Sequence, residues 1–314
     1  MKNNSCLYLM FLLSAVTTRA DILSNLSPFL NSSRPDYDPS AFEPDLSEMN
    51  PRYAPFSSAD SDLGVQQLLN SYDGLPPVEF YFKTSINYTD NIPDINPDTN
   101  TSAWLWAGQF DVNWSPLVGN GWYLDTGLGQ GIYRYEGSAP GDFENFDTHL
   151  GLVKSIPDLD DLLFFVRYEF QRITADSLSE SNYSAHRIRT GFRKDLLLSS
   201  RYQLSAGVDA AFDLSAKLTR RERNQYSADV KYTYWFSDKV NSTLFWNGSF
   251  WDFNNTERED VSHTFGLELT WTPTQDLSIF SNVFYTNHNS NTFSGFNDFD
   301  SLQVGLGCGV NFSF

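Results

Sequence analysis

The chain has 314 residues, with 39 acidic against 21 basic side chains and a formal net charge of −18. That balance excludes nucleic acid as a partner, since phosphate binding needs a basic surface, and two cysteines exclude a disulfide framework. Aromatic residues are plentiful, yet the mean hydropathy is −0.38 and no run beyond residue 20 is long and apolar enough for a membrane-spanning helix.

Residues 1–20 have the three-part layout of a secretory signal peptide. Lys2 supplies the positive start, Leu7 to Val16 the apolar run, and Thr18-Arg19-Ala20 the small residues that a signal peptidase reads. Cleavage is expected after Ala20. It removes Lys2, Cys6 and Arg19, leaving Cys308 as the one thiol and a net charge near −20. Residues 21–76 form an acidic, proline-rich extension. They hold Pro28, Pro35, Pro39, Pro44, Pro51, Pro55 and Pro76, with Pro77 just beyond, and their acidic residues face two bases, Arg34 and Arg52. Such a composition does not supply a packed core. One short helix is predicted, capped by Asp62 with Val65, Leu68 and Leu69 on one side.

Residues 77–314 read as about twelve strands of period two. The clearest rows are Val78, Phe80, Phe82, Ile86 and Tyr88; Trp104, Trp106, Phe110, Val112 and Trp114; Leu162 to Phe170; Tyr202 to Phe212; Tyr226 to Tyr234; and Phe265 to Trp271. Less regular strands are predicted near 121–134, 145–155, 183–194, 240–253 and 276–287. Short connections alternate with longer ones rich in Asn, Asp, Ser and Gly; the loop near 254–258 is short on the long side. The last strand carries Leu302, Val304, Leu306, Cys308, Val310, Phe312 and Phe314 on one face, with Gln303, glycines, Asn311 and Ser313 on the other. Trp114, Trp122 and Trp271 fall at one end of their strands and Trp104 and Trp106 at the other, as interface belts require. The fold class predicted is an all-β, antiparallel up-and-down transmembrane barrel.

In its signal peptide, its alternating strands and its terminal Gly307-Cys308-Gly309-Val310-Asn311-Phe312-Ser313-Phe314, the chain resembles porin-type outer-membrane barrels of Gram-negative bacteria. The resemblance implies a bacterial outer-membrane location. It also implies contact with outer-membrane lipid and lipopolysaccharide, and recognition by the barrel-assembly machinery through the strand ending at Phe314. It supplies no catalytic residue and no cofactor.

Parity points Arg167, Arg187, Arg189 and Arg193 into the lumen as one basic patch. Glu79, Asp111 and Asp125 are expected across the lumen from it, with Asp209, Asp213 and Asp229 beside it. Opposed charges of this kind set selectivity in pores, so a narrow porin-like channel for small hydrophilic solutes is the first reading. A closed, non-conducting structural or surface-interaction barrel is the alternative. A remote third reading rests on His288-Asn289-Ser290-Asn291, which is similar to the His-x-Ser-Asn-Gly segment of outer-membrane phospholipase A. Thr292 replaces the glycine, and parity turns His288 and Ser290 towards the lumen rather than the lipid. His149, His186 and His263 have no metal-ligand spacing, so no metal or cofactor is expected.

Overall fold

Alternation of apolar and polar side chains produces long strands that need one face away from water. In the computed structural model these are β1 (Val78–Ile92), β2 (Thr101–Trp114), β3 (Leu117–Gly119), β4 (Trp122–Tyr135), β5 (Phe143–Ile156), β6 (Leu162–Thr174) and β7 (Ser181–Ser199). They continue with β8 (Tyr202–Ala216), β9 (Arg223–Ser237), β10 (Val240–Phe253), β11 (Glu259–Trp271), β12 (Leu277–Ser290) and β13 (Phe299–Ser313). The structure describes residues 78–92, 101–136, 142–156, 159, 162–174, 181–199, 201–217, 222–274, 276–291 and 298–313. The predicted signal peptide, the predicted extension with its helix, Phe314 and most of the longer loops lie outside these residues.

The stub β3 pairs only with β4. The other twelve strands form a closed antiparallel ring. Each pairs with its neighbours in sequence, β2 pairs directly with β4, and β1 closes on β13 from Glu79↔Ser313 to Thr89↔Gln303. Closure leaves no strand edge unpaired, which is the condition for crossing a bilayer with strands. The predicted twelve-strand barrel is therefore the fold observed. Between β3 and β4 the chain reverses through Gly119, Asn120 and Gly121, with φ of 134°, 51° and 73°. Glycine and asparagine are the residues that adopt this left-handed region at low cost.

The two faces of the ring are chemically distinct. Outward positions are large and apolar: Phe82, Ile86, Leu150, Val208, Leu244, Leu267 and Leu306 are all exposed. Trp114, Trp271 and Phe312 close this band at one end and Trp104 and Trp106 at the other. Inward positions are polar, aromatic or glycine, and most are buried. Cys308, on the apolar face, is a free thiol.

Candidate functional site

The inner wall from β4 to β9 carries a lattice of ion pairs in neighbouring groups. At its centre Arg167 of β6 and Arg189 of β7 are direct cross-strand partners. Like charges in that position repel. Glu169 offsets the repulsion, because its Oε1 lies 2.6 Å from Arg167 Nε and 3.2 Å from Arg189 Nε. Asp125 Oδ2 adds a contact of 3.6 Å to Arg167, and Asp209 Oδ2 one of 2.9 Å to Arg189. His149 Nε2 lies 3.0 Å from the other oxygen of Asp125. Towards one end Arg187 pairs with Asp213 at 3.2 Å. Towards the other, Arg193 meets Asp195 at 3.6 Å and Asp229 at 3.4 Å.

Glycines let these pairs form two strands apart. Gly151 lies between Asp125 and Arg167 in one register row, and Gly207 lies between Arg193 and Asp229. A Cβ at Gly151 would collide with Arg167, and one at Gly207 would sit 2.6 Å from Asp229 Oδ1. Each glycine is a saddle over which a long side chain lies along the wall.

This geometry corrects the sequence expectation in two respects. The four arginines do come together, but the patch is not basic, because Asp125, Glu169, Asp195, Asp209, Asp213 and Asp229 are interleaved with them. Asp125 is also not across the lumen, because Gly151 brings it to Arg167. Asp111 accepts a hydrogen bond from Gln109 Nε2 at 2.8 Å and faces Asp147 over Gly129, near the lattice rather than opposite it. Glu79 is buried on β1. In ring order the strands facing β6 and β7 are β12 and β13. Their mid-strand inward residues include Phe280, Asn282, Phe284, Gln303, Gly305 and Gly307, an aromatic and carboxamide wall instead of the expected acidic row.

No protein-family model matches this sequence, and none of the curated proteins does. Among solved structures, the COG4313 outer membrane channel from Pseudomonas putida F1 aligns with a TM-score of 0.54 at 10% identity, covering 76% of this chain and 96% of that one. The fold is that of an outer-membrane channel. The NanC porin, with a TM-score of 0.44 at 10% identity over 73% of this chain and 98% of that one, is a more distant likeness.

The ion lattice centres on mid-strand residues of β6 and β7, and two further clusters line the end of the barrel that carries the longer connections. On β2 and β4 to β7, Leu105, Tyr133, Tyr135, Phe143, Ile173 and Tyr183 form a buried apolar cluster, with Tyr133 stacked on Phe143 at 4.3 Å. On β9 to β12, the Arg223 guanidinium lies 4.7 Å from the Trp251 ring centroid, and Arg258 grips Asp260 at 2.6 Å. His288 belongs here, with Nε2 3.4 Å from Asp260 and its ring 5.1 Å from Trp251. The Ser290 N–H donates to Asp298 Oδ1 at 2.6 Å. His288 thus faces the interior, away from the lipid on which a lipase of this kind acts. Sequence reading missed Glu169 as the hub of the lattice. Its signal was present, two residues from Arg167 on the same face. Arg223 and Arg258 sit at loop-proximal ends, where parity gave no warning of the aromatic partners Trp251 and Phe253 on the adjacent β10.

Proposed function

We propose that the chain is a narrow outer-membrane channel for small hydrophilic solutes. The observation that supports this is the placement of a ten-member ionic lattice inside a closed barrel whose outside is apolar. Ionisable groups at membrane depth are tolerated where they face water or one another. Six carboxylates against four arginines favour cations over anions, although the pairs neutralise most of the field. Planar-bilayer recording of protein with heat-modifiable gel migration tests the reading. The expected result is a small conductance whose reversal potential in a tenfold KCl gradient lies on the cation side. Absence of conductance from correctly folded protein, with and without residues 21–76, refutes it.

The near-complete burial of Arg167 and Phe280, at 1% and 2% exposure, favours a second reading in which the interior is filled and the barrel displays its outer loops. The same recording separates the two. No residue is assigned a catalytic role. The remaining elements of this reading are export by cleavage after Ala20, contact with lipopolysaccharide, and assembly through the strand ending at Phe314. N-terminal sequencing of the mature protein, and assembly of a chain lacking Phe314, address the first and the last.

A further inference from the structure

The wall opposite the ion lattice carries oxygen atoms that accept no hydrogen bond among the described residues. Asn87 of β1 and Asn282 of β12 flank Gly305 of β13 in one register row, and Glu268 of β11 stands beside Asn282. A Cβ at Gly305 would overlap the Oδ1 atoms of both asparagines, so two carboxamide oxygens converge over the glycine. Neither oxygen has a hydrogen-bond partner among the described residues, and neither does Glu268 Oε2. All three residues are at most 4% exposed. Two of their other polar atoms are engaged: Asn87 Nδ2 donates to Ser85 Oγ at 2.9 Å, and Thr270 Oγ1 donates to Glu268 Oε1 at 2.9 Å. Buried acceptors in native structures are almost always satisfied, so each exception calls for a donor.

The surroundings narrow what that donor is. Phe280 and Phe284 stand two residues either side of Asn282 on the same face. The Phe280 ring lies over Gly307, and Phe245 lies over Gly266 with its centroid 6.5 Å from that of Phe284. The wall thus offers flat apolar rings around a few fixed acceptors, the composition of a site for a ligand with both apolar faces and polar edges. Lys83 and Lys231 both act on the Glu268 carboxylate, and Lys83 Nζ lies 4.5 Å from the Phe280 ring centroid. Two ammonium groups beside one carboxylate disfavour a metal ion among these oxygens. An anion brings no hydrogen to three acceptors.

We propose that Asn87, Asn282 and Glu268 form a subsite for a neutral, hydroxyl-rich solute, a sugar or polyol, whose hydroxyls donate to the three oxygens while its C–H faces pack on Phe280 and Phe284. The inference deepens the channel reading and rests on it for access through the lumen. Isothermal titration of the full folded chain in detergent with maltotriose, trigalacturonate or calcium chloride tests it, alongside KCl conductance. Maltotriose is expected to bind and trigalacturonate to bind more weakly. Asn282→Leu is expected to weaken maltotriose about tenfold, the scale of one lost hydrogen bond to a ligand. Asn87→Leu provides a second variant should the first not migrate as a folded barrel. Four results overturn the proposal: no maltotriose binding, binding that both variants leave unchanged, trigalacturonate binding as tightly, or calcium binding that Asn282→Leu abolishes. Conductance without maltotriose binding removes the subsite and leaves the channel; binding without conductance removes the channel and leaves the subsite.

Discussion

Replacing Glu169 by glutamine isolates the contribution of the lattice hub. The side chain keeps its shape and loses the charge that lies between Arg167 and Arg189, which are 1% and 2% exposed. Two guanidinium charges about 6 Å apart repel by roughly 3 kcal/mol at an effective dielectric of about 20. Breaking a buried pair by removing one partner costs about 3–5 kcal/mol, because the other charge stays buried. Asp125 and Asp209 remain beside the two arginines, so the expected destabilisation of Glu169→Gln is at the lower end, about 3 kcal/mol. Urea titration of protein folded in lipid vesicles, followed by tryptophan fluorescence, measures it. Arg189→Met in the same chain removes the repulsion and is expected to recover more than half of the loss. A single variant within about 0.5 kcal/mol of wild type, or a double variant no better than the single, refutes the assignment of Glu169 as hub.

Gly151→Ala places a Cβ against Arg167 and against the Val166 carbonyl, so it is expected to destabilise the barrel by about 1–3 kcal/mol in the same titration. On the lipid side, Leu267→Lys at mid-strand is expected to cost about 2–4 kcal/mol, and Phe312→Lys, at the periplasmic belt, about 0–1. Equal losses at the two positions contradict the placement of the hydrocarbon band. Asp209→Asn removes one carboxylate from the lattice and is expected to move the reversal potential towards zero. Ser290→Ala is expected to leave lipid unhydrolysed with calcium as in wild type; turnover that this substitution abolishes restores the lipase reading.

Period-two alternation made the barrel legible because lipid and lumen impose opposite chemistry on neighbouring residues. Parity points Tyr81, Tyr123, Phe165, Trp235, Phe280 and Phe284 inward; Trp235 is half-buried and the other five are buried. Parity also grouped Arg167, Arg187, Arg189 and Arg193, since it needs only the strand order of an up-and-down barrel. It failed for Asp125, which was placed across the lumen. Parity gives the face of a residue but neither its height nor the reach of its neighbours, and Arg167 reaches Asp125 only because Gly151 lies between them.

The outward apolar rows, the aromatic belts and the strand count follow from the order of residues alone, because each strand meets the same two environments whatever its partner. Register is different in kind. Which carboxylate meets which arginine, which glycine serves as a saddle, and that Asn87 and Asn282 converge over Gly305 depend on how twelve strands slide against one another before the ring closes. That displacement is set by all the pairings together, and no single strand encodes it.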